Sequence, residues 1–161
     1  MHLRDATPAD CGTLLNLIKA LAEYEREPDA VIATEADLLR DGFGPTPRFH
    51  ARLAELDGKP VGFALWFFVW STWQGRCGLY LEDLFVLPEA RGHGVGAALL
   101  RDLAARALQE GCTRFQWQVL DWNTPAIGFY EKLGAKALKQ WIPMRVEGVE
   151  AIRRVAEGKG A

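Results

Sequence analysis

The sequence predicts one mixed α/β sheet with helices packed against it, on three observations. Apolar residues recur at helical spacing in the first 25 positions, two strand-like runs flank Asp57-Gly58, and a glycine-rich turn joins a further strand to a further helix. In chain order the elements read helix, helix, strands, helix, strand, helix, strand, which suits a mixed sheet covered by helices. With 161 residues and no linker, repeat or low-complexity segment, a single domain over 1–161 is expected.

Thr7-Pro8-Ala9-Asp10 has the form of a helix start: a capping Thr, proline at the first helical position and an acid three residues after the cap. Leu14, Leu17, Ile18 and Leu21 follow at helical spacing, so a first helix covers roughly 8 to 25. Thr34-Glu35-Ala36-Asp37 repeats the capping pattern, and Gly42 closes a short second helix. His50 to Leu56 and Val61 to Trp70 read as two antiparallel strands, because Asp57-Gly58 suits the left-handed backbone of a tight hairpin turn. Ser71 to Gly75 is a loop of turn residues. Leu79 to Leu87 is a strand stopped by Pro88, and helix signals run from Gly94 to Glu110 before Gly111. Arg114 to Leu120 reads as a strand. Thr124-Pro125 caps a short helix to Leu133, Gly134 ends it, and the apolar stretch from Ala135 to Val146 supplies the last strand.

Composition excludes several function classes. The chain is 49% hydrophobic and 25% charged, inside the globular range, and its net charge of −2 gives no global positive field for nucleic acid or an anionic membrane. Any anionic ligand must be held locally. Cys11, Cys77 and Cys112 are odd in number and widely spaced, with no CxxC and no His at ligand spacing, which argues against a disulfide framework or a zinc site. A reducing cytoplasm is expected. No apolar signal segment opens the chain, and the longest apolar run, Val61 to Trp70, is half a membrane span, so a soluble, unexported protein is expected.

Arg91-Gly92-His93-Gly94-Val95-Gly96-Ala97 lies directly between a strand and a helix. Its three glycines let the backbone approach a ligand with N–H groups pointing outward at the positive end of a helix dipole, an arrangement suited to phosphate or pyrophosphate. Arg91 adds a permanent cation with a planar fork of donors. A flexible connector is the alternative, since a glycine-rich motif alone is weakly diagnostic. Gly92-x-Gly94-x-x-Ala97 also matches a dinucleotide fingerprint, with Asp121 at the end of the next strand as its ribose acid. Against that, Pro88 to Arg91 separate strand from first glycine, whereas the dinucleotide turn is tight, and too little chain remains for six parallel strands.

Arg91-x-x-Gly94-x-Gly96 resembles the acyl-CoA pyrophosphate loop of the GNAT acetyltransferase superfamily. Tyr80-Leu81-Glu82-Asp83-Leu84-Phe85-Val86 and Asn123-x-Pro125-x-x-x-Phe129-Tyr130-x-x-x-Gly134-Ala135 resemble the same family, in its order. Over residues 4 to 140 the chain is more closely similar to the diamine (spermidine/spermine) and thialysine N-acetyltransferase branch. The resemblance implies a GNAT-like single domain: a strongly bent mixed sheet flanked by helices, its central parallel strands splayed for acyl-CoA. It also implies a homodimer, no metal, and transfer of acetyl from acetyl-CoA to the primary amine of a small molecule by direct attack in a ternary complex. Acetyl-CoA contacts carry over to Leu84, Phe85, Val86, Arg91, Gly92, His93, Gly94, Val95, Gly96, Ala97, Asn123, Ala126 and Tyr130.

Attack of an amine on a thioester needs an unprotonated nitrogen, a stabilised oxyanion and a proton for the leaving thiolate. Tyr130 matches the family's general acid; the alternative is an aromatic core pair with Phe129. Unbroken alternation puts Tyr80, Glu82, Leu84 and Val86 on one strand face and Leu79, Leu81, Asp83 and Phe85 on the other. The resemblance selects Glu82 to take the ammonium proton, directly or through water, and leaves Asp83 as a structural partner on the opposite face. A structural salt bridge is the alternative for both acids.

Tyr24 and Glu25 match family positions that contact the amine-bearing ligand, with Glu23, Glu27 and Asp29 adding negative charge; a solvated helix end is the alternative. Diamine enzymes carry an acid where this chain has Ser71, and an acid-Gly-Trp segment where it has Lys139-Gln140-Trp141. Ser71-Thr72-Trp73-x-Gly75-Arg76 and Leu120-Asp121-Trp122-Asn123 resemble instead the thialysine branch, with lysine-like substrates, and make Trp73 a substrate-binding candidate. A non-catalytic CoA-binding or interaction module, and a peptide or protein N-acetyltransferase, stand as alternative functions.

Overall fold

A computed structural model describes residues 1–158, which fall into two compact units, residues 1–118 and those from Val119 onward. The first unit holds β1 (His2–Asp5), α1 (Cys11–Tyr24), α2 (Glu35–Phe43), β2 (His50–Leu56), β3 (Lys59–Ser71), β4 (Arg76–Val86), α3 (Val95–Gln109) and β5 (Arg114–Gln116). The sheet order is β1-β2-β3-β4-β5; the first four strands pair antiparallel, and β5 joins β4 in parallel. β1 was not expected from the sequence, because four residues with two half-buried positions carry too little pattern. Its partner β2 creates it.

Local signals placed the helices. The Thr7 hydroxyl and N–H both donate to the Asp10 carboxylate, at 2.7 and 2.8 Å, and the chain passes through one 3-10 turn into α1. At α2 the Asp37 N–H donates to the Thr34 hydroxyl oxygen and the Thr34 N–H to the Asp37 carboxylate. α2 runs one residue beyond Gly42, to Phe43. Asp57 and Gly58 both take positive φ, 50° and 74°, as a tight hairpin between right-twisted strands requires. α1 and α2 cover one sheet face through a core of Leu14, Leu17, Leu38, Leu53, Phe63, Leu65 and Phe85. α3 touches β2, β3 and β4, and its Arg106 guanidinium stands over the Trp66 ring on the other face.

Strand β4 departs from simple alternation. Leu65 pairs with Asp83 and Trp66 with Leu81, which leaves Glu82 as the extra residue of a β-bulge. Leu79 and Leu81 therefore share the Trp66 face, whereas Asp83 and Phe85 share the face of Leu65 and Phe63, beneath α1. The expectation that these four residues share one face is corrected by that inserted residue.

Two expected strands are shortened or missing. β5 pairs with β4 only at Gly78–Arg114, Leu79–Phe115 and Tyr80–Gln116, and residues 117–120 leave the ladder while β4 continues to Val86. The second unit contains α4 (Thr124–Lys132) and α5 (Val149–Ala156), and among its described residues no strand forms. Ala135 to Val146 is therefore irregular, with Ile142 and Met144 80% and 89% exposed. Apolar content makes a strand only where an edge offers a ladder. α5 was unforeseen; Gly148, at positive φ, precedes it.

Candidate active site

Three carboxylates converge under the end of α1. Glu25 is the residue after α1, Glu82 is the exposed bulge residue, and Asp83 is partly buried on the α1 face. Burial, then the charges of Glu82 and Glu25, push the Asp83 carboxyl up to about 7, and burial also raises Glu25. Among the described residues no cation or hydrogen-bond donor pairs with Asp83. Asp83 is thus no salt-bridge partner, contrary to the structural role expected of it. Among the described residues Asp83 has no cationic partner, and a cationic amine would supply one.

Beside it, the Arg91 guanidinium lies 4.4 Å from the Tyr24 ring centre and 5.7 Å from that of Phe85, and its Nε donates to the Val86 carbonyl at 3.0 Å. Arg91 therefore joins the end of α1 to the start of the glycine loop. That loop brings Gly92 and Gly94 to φ of 79° and 76°, conformations that a β-carbon strains, and no neighbouring atom stands within 4 Å of where one would be. Among the described residues no side chain caps α3 at Gly94, and the backbone donors of its first turn, Val95 to Ala97, have no intrahelical acceptor. The His93 ring bonds back to carbonyls of Ala90 and Arg91. Leu84, Phe85 and Val86 follow on the stretch of β4 beyond the last β5 pairing.

In the second unit, Asn123 is buried and accepts from the Ala126 N–H at 3.3 Å, capping α4. Tyr130 is half-buried on α4, its ring 5.2 Å from that of Phe129. The structure does not bring Trp73 to the carboxylates. It is 89% exposed in the β3–β4 turn, and the seven residues of β4 from Arg76 to Glu82 span roughly 20 Å. The Asp83 contribution was missed from the sequence; the signal was a change of parity, with apolar residues at 79 and 81 and then at 84 and 85.

The profile of the "Acetyltransferase (GNAT) family" matches residues 13–135. A thialysine N-epsilon-acetyltransferase of Sus scrofa is 44% identical over 165 residues, covering 96% of each chain, and one of Mus musculus is 41% identical over 166 residues with the same coverage. The chain belongs to the GNAT acetyltransferase family. It has the GNAT fold, a five-stranded mixed sheet with flanking helices. An integron cassette protein of V. cholerae superposes with a TM-score of 0.81 at 26% identity, covering 97% of each chain. A soil-metagenome aminoglycoside acetyltransferase, 17% identical with a TM-score of 0.76, shares the fold over 89% of this chain and 93% of its own.

GNAT acetyltransferases use acetyl-CoA. The residues present fit that donor: an uncapped helix start with two left-handed glycines suits the pyrophosphate, and the length of β4 beyond its last β5 pairing offers backbone groups on that edge to an extended ligand. Among the described residues no cluster of three metal-ligating side chains occurs, and no helix is long and apolar enough to cross a membrane.

Proposed function

We propose that this acetyltransferase acetylates the side-chain amine of a lysine-like amino acid, with thialysine and lysine preferred to spermidine. The observation that carries the proposal is the group of Glu25, Glu82 and Asp83, which crowds negative charge on a site rimmed by Tyr24 and the glycine loop. The pig and mouse relatives, matched along nearly their whole length, support the thialysine assignment. Ser71, where diamine enzymes carry an acid, points the same way.

Acetyl-CoA brings the thioester whose carbonyl carbon the amine attacks. The backbone of Gly92 to Ala97 holds the pyrophosphate and Leu84 to Val86 line the arm, while Asn123 and Ala126 complete the cofactor contacts. Glu82, exposed at the bulge, takes a proton from the ammonium, directly or through water. Asp83 and Glu25 hold the cationic amine, whose charge favours their ionised forms. Tyr130 gives its proton to the departing sulfur. The unbridged thiols of Cys11, Cys77 and Cys112 support a cytoplasmic enzyme. The exposed apolar run of Trp141, Ile142, Met144 and Val146 supports a homodimer, which sedimentation would resolve from a monomer.

Thiol release measured with thialysine, lysine, spermidine and a lysine peptide tests the substrate class. A higher kcat/KM for spermidine or for the peptide than for thialysine overturns it. Tyr130→Phe tests the acid, because it keeps the ring and its contact with Phe129. Its kcat is expected to fall about 10²- to 10⁴-fold at nearly unchanged acetyl-CoA KM. A near-parent kcat with chemistry rate-limiting returns Tyr130 to a packing role.

A further inference from the structure

Cys77 and Cys112 lie 35 positions apart in the chain, and their Sγ atoms stand 3.0 Å from one another. Cys77 is the second residue of β4 and Cys112 stands two positions before β5, and the Thr113 N–H donates to the Cys77 carbonyl at 3.1 Å immediately before the parallel pairing of Gly78 with Arg114. The thiols thus sit beside the paired stretch of β4 and β5. Cys77 is half-buried and its thiol also reaches the Glu110 carbonyl, at 3.2 Å, whereas Cys112 is buried. A disulfide bond is about 2 Å long, so the sulfurs need approach by only about 1 Å.

We propose that Cys77 and Cys112 form an oxidisable dithiol site, which a small disulfide oxidant such as glutathione disulfide converts to an intramolecular disulfide joining β4 to the start of β5. Burial and the neighbouring Cys77 thiol push the Cys112 thiol up to about 12, so the reaction begins at the more accessible Cys77. The Cys77 thiolate attacks one sulfur of glutathione disulfide and expels one glutathione thiolate. Cys112 then gives up its proton to solvent and attacks the Cys77 sulfur of the mixed disulfide, expelling the second glutathione. Two protein thiols are oxidised and one glutathione disulfide is reduced to two thiols. Cys11, buried in the core under α1, takes no part. None of these steps depends on the substrate assigned above.

The folded full-length protein, incubated with glutathione disulfide, alkylated and then mapped by mass spectrometry, tests the site. Before alkylation the expected product is about 2 Da lighter than the reduced chain, and after alkylation the Cys77 and Cys112 peptides are linked while Cys11 carries the alkyl group. Its Tm is expected to rise by roughly 5–10 °C, since the bridge closes a long loop. Cys77→Ser should lose both the mass change and the Tm rise. A glutathione adduct that stays on Cys77 beside an alkylatable Cys112, or no thiol lost until the protein unfolds, overturns the proposal. Intact mass reports each outcome even if Cys77→Ser folds poorly.

Discussion

Two groups of partly buried carboxylates in the first unit meet opposite surroundings. Between β1 and the start of α1, the Asp10 carboxylate receives two 2.8 Å bonds from the Arg4 guanidinium and two more from Thr7, and Arg4 also bonds Glu55 on β2 at 2.7 Å. Under the end of α1, Asp83 faces Glu82 and Glu25 and makes no ion pair among the described residues. The Arg4 guanidinium and then Thr7 hold Asp10 well below the usual carboxylate range, against its burial; burial and like charge push Asp83 up to about 7. A carboxylate matched in this way ties a helix start to a strand. A cluster left unmatched weakens the fold and keeps a place for a cation.

The largest expected effect that separates the two regions is on catalysis. Glu82→Gln should lower kcat/KM for a cationic amine by roughly 10²- to 10³-fold while leaving Tm nearly unchanged, because Glu82 is exposed and makes no ion pair among the described residues. Steady-state kinetics with a thermal melt would show it, and an equal kinetic loss in Asp10→Asn would erase the contrast.

Next in size is stability at the matched site. Asp10→Asn should cost about 2 kcal/mol at pH 7, by urea unfolding, with acetyl transfer intact in the folded fraction. Asp10 has a folded pKa below its unfolded value, so its contribution is present above about pH 4 and fades as the pH falls through the folded pKa. The cost of the substitution should shrink in the same window.

The smallest effect has the opposite sign. Asp83 binds its proton more tightly when folded, so its charge destabilises the protein increasingly from about pH 4 to about pH 7, and fully above that. Asp83→Asn should raise stability by on the order of 1–2 kcal/mol at pH 8 and by little at pH 4, read from urea midpoints at the two pH values. A loss of stability at pH 8 would mean that Asp83 has an attractive partner after all.

Residue by residue, what the sequence disclosed divides by range. Thr7 with Asp10, Thr34 with Asp37, and Asp57-Gly58 act through neighbours three residues away or fewer, so the helix starts and the hairpin turn were readable from the letters alone. The same holds for Gly92 and Gly94, whose left-handed backbone at the mouth of α3 is a property of glycine itself. These short-range rules, with the family motifs, settled the mixed sheet, the helices and the place of the glycine loop.

What only the folded chain decided depends on partners far away in sequence. The register of β3 against β4 made Glu82 a bulge and turned Asp83 toward Glu25; no alternation rule applied to β4 by itself contains that shift. Arg91 came to Tyr24 from 67 positions away in the chain, and Cys112 to Cys77 from 35. Residues 117–120 and 135–146, apolar enough for strands, stayed out of the sheet because a strand is a pairing between two segments, and its ladder must be supplied by a neighbour.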